Sequence, residues 1–233
     1  MTTLPTLSLP EYSLNIPSSG ETVTYRPYLV KEEKVLRIAL ESTDDDQIRA
    51  SILAIVETCF KLPKSIKHYT SFDVEHMFIK LRSVSVGEKV DLIHTCESCE
   101  AETIVALDLD KVTIENLDRA NNLTVQILDN LNIELSYPNA EHLGMAQVDA
   151  DNIINMVSSC IKFIHYGDDT FDTRDSKKDE VINFVENLSS GQFQQLAEIL
   201  LDVPYSSYNE DHVCTKCGHK NNINYTGLIH FFI

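Results

Sequence analysis

Cys96-Glu97-Ser98-Cys99 and Cys214-Thr215-Lys216-Cys217-Gly218-His219 are the two stretches on which the reading of this chain turns. Two residues between cysteines let both sulfurs face one tetrahedral metal, each about 2.3 Å from a Zn²⁺ ion. Gly218 permits the positive φ that turns backbone amides toward the sulfurs. Strand-like runs flank the first pair, Lys89-Val90-Asp91-Leu92-Ile93 before it and Thr103-Ile104-Val105-Ala106-Leu107 after it. The layout predicts a zinc knuckle at the tip of a hairpin over 89–107, a second over 207–225, and one structural Zn²⁺ site made of Cys96, Cys99, Cys214 and Cys217. The pairs are 213 − 99 = 114 residues apart, far beyond the usual ribbon spacing. The site would therefore be a clasp between distant parts of the chain. A redox dithiol, two disulfides or unrelated thiols are the competing readings. A thioredoxin-like motif is expected to open a helix, and neither pair clearly does.

The 233 residues are enough for one large domain or two modest ones, and their 43% hydrophobic content suits a globular core. No apolar run is long enough to span a bilayer. The start, Met1-Thr2-Thr3-Leu4-Pro5, lacks the features of a signal peptide, so a reducing cytoplasm is expected, with Cys59 and Cys160 as core thiols in apolar helical patterns. A net charge of −17, from 36 acidic and 19 basic residues, repels phosphate backbones and disfavours nucleic-acid binding. It suits solubility or a basic protein partner, and such a balance also occurs in many proteins for neither reason.

The expected class is α+β: helical bundle-like segments, short antiparallel strands and a split zinc ribbon. Residues 1–30 read as an extended arm and a β-hairpin, Tyr12–Ile16 and Thr22–Tyr25 alternating on either side of Pro17-Ser18-Ser19-Gly20. Residues 31–88 read as helical. There, Thr43 is the expected cap of a helix opening with Asp44-Asp45-Asp46, acidic residues the helix dipole favours. Ser71 is the expected cap of another over Phe72–Leu81, with His76 on its solvated side. The first knuckle occupies 89–107 and short strands 108–138, broken at Asn121-Asn122 and Asp129-Asn130. Residues 139–204 read as helical again, Ile153, Ile154, Val157, Cys160, Ile161 and Ile164 keeping helical spacing as far as Tyr166. The acidic loop Gly167–Asp175 lacks the ligand spacing of an EF-hand. Ser176 is the expected cap of the next helix, with Asp179 at its third position, and Ser189 or Ser190 begins the last, which stops before Pro204. The second knuckle and an apolar ending, Leu228-Ile229-His230-Phe231-Phe232-Ile233, fill 205–233; that ending is either core or an interface.

Several of these segments resemble a known family. The run Tyr12-Ser13-Leu14 through Ile16-Pro17-Ser18-Ser19-Gly20, then Tyr25-Arg26-Pro27-Tyr28-Leu29-Val30-Lys31-Glu32-Glu33-Lys34, is similar to the opening of the baseplate hub proteins of T-even-type contractile-tailed phages. Phe72-Asp73-Val74-Glu75 and Phe78 through Glu88 continue the similarity into the first cysteine pair. It covers residues 4–107 well and the remainder loosely. The resemblance implies a non-enzymatic part in the tail baseplate hub, as component or assembly chaperone. Its partners would be other hub or tail proteins, and its location the host cytoplasm during assembly or the virion tail. It supplies no catalytic residues.

The residues agree about catalysis. No phosphate-binding Gly-rich loop, Gly-x-Ser-x-Gly or His-Glu-x-x-His occurs, and four cysteines around a metal leave no open position for a substrate. His94, His212 and His219 suit supporting groups better than ligands. A zinc-ribbon nucleic-acid or transcription-associated module, and more weakly a thiol redox protein, are the alternatives.

Overall fold

The computed structural model describes residues 8–117, 123–143 and 150–228. The fold is mixed α+β, with antiparallel strands gathered in sheets of two, three, two and four. Its organisation follows from where the apolar side chains collect, in two separate cores.

The first core begins with the expected hairpin, β1 (Tyr12–Asn15) and β2 (Thr22–Tyr25), and its register pairs Tyr12 with Tyr25. Gly20 turns the chain with φ +69°, and fully buried Ile16 anchors the turn. Helices α1 (Val30–Ser42), α2 (Asp45–Cys59) and α3 (Ser71–Val86) follow. Stacking of Tyr25 on Phe60, with ring centroids 4.6 Å apart, seals the hairpin to the end of α2. Helix α3 is the axis of this core, and Val74, Met77, Phe78, Ile79 and Leu81 are each 0% exposed. Its Asp73 is equally buried, and its carboxylate accepts from Ser18 N (2.9 Å), Ser18 Oγ (2.6 Å) and Thr70 N (3.2 Å). One charged group thus caps the helix and docks the hairpin turn.

Strands β3 (Lys89–Thr95) and β4 (Glu102–Asp108) form the first knuckle hairpin. After β5 (Thr113–Glu115) the chain leaves this core, and it returns as β10 (Tyr205–Val213), which pairs with β5 and with β11 (Lys220–Thr226). Between β5 and β10 lies the second core: β6 (Thr124–Leu128), β7 (Leu131–Leu135), β8 (Ile161–Tyr166) and β9 (Asp169–Asp172) in that order across one sheet. Helices α4 (Ala150–Cys160), α5 (Lys178–Glu186) and α6 (Ser190–Leu201) pack with it. Most of the sequence between the two cysteine pairs is therefore a lobe inserted between neighbouring strands.

Several local expectations need correction. Thr43 does not cap α2; it closes α1 in the left-handed region (φ 54°), and Asp44 caps α2 by accepting from Asp46 N and Gln47 N. Thr70, one residue before Ser71, caps α3, and Lys177 rather than Ser176 precedes α5, with Glu180 in place of Asp179 reaching back to its N–H. Ser189 does cap α6. His76 is half-buried, not solvated, and burial, aided by Lys80, pushes it down to about 4.

The largest difference is in 139–204, which is not helical throughout. Helix α4 ends at Cys160, and Ile161–Tyr166 is the strand between β7 and β9. The Ile-Lys-Phe-Ile-His-Tyr run satisfies helical and strand periods alike, and two strand neighbours decide between them. The acidic Gly167–Asp175 segment forms the β8–β9 turn, β9 and a 3-10 turn. The Asn121-Asn122 break and residues 229–233 of the apolar ending lie outside the described residues; Leu228 is buried in the first core. No helix among the described residues is long and apolar enough to cross a membrane.

Candidate metal centre

The two knuckles are built alike. In the first, Cys96 N donates to Ala101 O and Glu100 N to Cys96 O, at 3.0 and 2.9 Å. In the second, Cys214 N donates to His219 O and Gly218 N to Cys214 O, at 2.8 and 2.9 Å. The residue after the second cysteine has positive φ in both, Glu100 at 56° and Gly218 at 75°. The glycine at 218 advertises that conformation; the glutamate at 100 hides it.

This turn aims amides at sulfur. The N–H groups of Ser98 and Cys99 and the side chain of Asn221 point at Cys96, and those of Cys217 and Lys216 point at Cys214. The amide of Ser98 leads in bringing Cys96 down to about 6, and the amide of Cys217 lowers Cys214. At Cys99 the Ala101 amide favours the thiolate. The sulfur of Cys217, burial and the remaining sulfurs outweigh it, pushing that thiol up to about 12. Four thiolates this close repel one another unless a cation lies among them.

All four Sγ atoms lie within 4.8 Å of one another. Cys96 and Cys217 are 3.8 Å apart, as are Cys99 and Cys214. A tetrahedron with Zn–S bonds of about 2.3 Å has edges of about 3.8 Å, so the donor set fits such an ion in size and in chemistry. The four sulfurs could hold a metal. They are the one group of three or more His, Cys, Asp or Glu among the described residues that converges this way. The aspartates at 44–46 and the 167–175 segment do not.

Sequence reading missed the residue that sews the knuckles together. Asn221, 1% exposed, accepts from Glu97 N at 3.0 Å, and its Nδ2 lies 3.4 Å from His219 O. Nothing about an asparagine in a strand signals this role. Beneath the sulfurs the rings of His94 and His212 meet edge-on at 6.4 Å, and Thr103 Oγ1 lies 3.5 Å from His212 Nε2. His219 contributes its carbonyl, which accepts from Cys214 N. Cys59 and Cys160 are buried core thiols, raised by burial to about 11 and about 12.

A Ser-His-Asn chain also escaped the sequence reading. His142 Nδ1 lies 3.1 Å from Asn139 Oδ1, and its Nε2 lies 3.1 Å from Ser159 Oγ. Ser159 sits in the last turn of α4 and donates to Met156 O at 2.8 Å. A helix C-terminus opposes a developing oxyanion, so the chain is a tether between the lobes and a poor nucleophile.

Fold and site together define a two-core α+β protein with paired cysteine knuckles whose four sulfurs converge. The chain matches the family described as T4 bacteriophage base plate protein over residues 9–233, and it belongs to that family. The match extends through the C-terminal half, where the resemblance seen in sequence is loose. Comparison with curated proteins and with solved structures finds no match.

Proposed function

We propose that this chain is a non-enzymatic component or assembly factor of the baseplate hub, working through contacts with other tail proteins. Its structural Zn²⁺, held by Cys96, Cys99, Cys214 and Cys217, fixes the returning C-terminal hairpin against the first core. The observation that carries the reading is the family match, which spans nearly the whole chain. The hub is the finer assignment, and it rests on the similarity of the 12–34 and 72–88 segments.

The zinc assignment is supported by sulfur spacing, by the amides aimed at the sulfurs, and by a donor group that is all cysteine among the described residues. A closed four-thiolate shell favours a structural ion over a catalytic one. The acidic balance of the chain argues against the nucleic-acid module.

Purified tails test the reading. Presence of this chain among their components makes it structural; absence from finished tails, with failed hub assembly when it is deleted, makes it a chaperone. Normal infectious tails without it would overturn both.

A further inference from the structure

The second lobe carries an apolar surface that its own helices leave uncovered. In the four-stranded sheet, Leu131 pairs with Tyr166 and Ile164 with Phe171, so these side chains share the face turned toward the helices. Helix α5 meets that face with Val181 and Phe184. A groove of about 350 Å³ remains between them. Tyr166 and Phe171 stand 53% and 51% exposed although the surface continues directly into the core.

Two further observations indicate what fits there. Strand β9 is the end of its sheet among the described residues, and an edge strand offers unpaired N–H and C=O groups to an added strand. Added side by side with β9, a strand would drop alternate side chains onto the face that holds Phe171 and Ile164. The rim is acidic: from 168 to 180 there are Asp168, Asp169, Asp172, Asp175, Asp179 and Glu180 against Arg174, Lys177 and Lys178. Arg174 is already occupied by Asp172, and Glu180 lines the groove itself. Like charge opposes a second copy of this chain, which is itself strongly acidic, whereas a basic segment gains on approach.

We infer that the β9 edge and the adjoining groove receive an extended segment of a partner protein, with bulky apolar residues at alternate positions and lysine or arginine between them. That the partner is another baseplate protein rests on the proposed function; the chemistry of the segment does not.

The test uses the purified full chain and a fluorescein-labelled dodecapeptide alternating lysine with valine or phenylalanine, read by anisotropy at low and high salt. Control peptides carry serine at the apolar positions or glutamate at the basic ones. The alternating peptide should bind, and both controls should bind at least about tenfold more weakly. Phe171→Lys and Asp179→Lys, at exposed positions, should each weaken binding by about tenfold or more with an unchanged circular dichroism spectrum. No binding of the alternating peptide, equal binding of the serine control, or binding indifferent to Phe171→Lys would overturn the inference. So would a dimer of the wild-type chain in sedimentation equilibrium that Phe171→Lys dissolves, since a second copy would then be the occupant. Failure here leaves the cysteine centre and the place in the baseplate standing, because their tests read metal content and tail assembly.

Discussion

Removing the proposed metal ion should uncouple the knuckles and leave the second lobe intact. The loops at 97–100 and 215–219 are exposed, and each is held by two backbone hydrogen bonds of its own. Across the junction, besides the sulfurs themselves, the polar contacts include Asn221 with Cys96 and with Glu97 N, and the long Thr103–His212 approach. A single hydrogen bond contributes about 0.5–1.5 kcal/mol, too little to hold two hairpin tips against their chain entropy. A bound ion at about a thousand times its dissociation constant contributes about 4 kcal/mol. At about 2–4 °C per kcal/mol for a chain of this size, the melting transition of the first core should fall by about 8–16 °C on chelation. The transition of the second core, whose residues lie between 125 and 200, should stay in place. Calorimetry with and without a chelator, alongside metal analysis, measures this. Hydrogen exchange should show lost protection confined to 93–104 and 211–222. Cys214→Ser, at a buried position of the proposed ligand set, should reproduce the chelated state. If the isolated chain carries no metal, or if chelation removes one without moving either transition or the exchange pattern, the clasp is wrong.

Other expected outcomes follow from single residues. Glu100→Gly should stabilise the first knuckle by about 0.5–1 kcal/mol, because Glu100 holds a left-handed conformation. Gly218→Ala should cost about 1 kcal/mol by the same rule; a Cβ there meets nothing within 4 Å, so any larger loss in denaturant melts would refute the backbone explanation. Asp73→Ala should cost about 3–4 kcal/mol in urea unfolding, since Ser18 and Thr70 lose a charged, fully buried acceptor; a loss under about 1 kcal/mol would show that the hairpin docks by apolar contact alone. Glu75 is buried in α3 and accepts from the backbone of Ser206 and Leu228, and its burial raises it above the usual 4.5. A raised carboxyl stabilises fully below its unfolded value and loses that contribution as pH rises through its folded one. Glu75→Gln should therefore gain on wild type from acid toward neutral pH, and a constant difference across the stability–pH profile would contradict it.

Reading the site from sequence worked where chemistry is local. Cys-x-x-Cys with Gly218 behind it fixes a turn whose amides face sulfur whatever surrounds it, and flanking alternation makes each pair a hairpin tip. Residues 12–25 and the apolar stripes of α2, α3 and α6 were legible for the same reason. Caps slipped by one residue at Asp44, Thr70 and Lys177, because several polar side chains in a row compete for the same amides. Ile161–Tyr166 misled because its pattern fits both periods. Asn221 and Glu100 were invisible, since one acts through a buried contact across 124 positions and the other adopts a conformation its side chain disfavours.

The sequence by itself determined that two knuckles exist, that their four sulfurs are the candidate ligands, and that the chain is mixed α+β. Only the tertiary structure decided that the sulfurs converge. Convergence depends on β5 pairing with β10 across an inserted lobe, and on buried Glu75 and Asn221 receiving the returning strands. Such pairings join residues with no local signal for one another, and they form because both cores must bury their apolar faces at once.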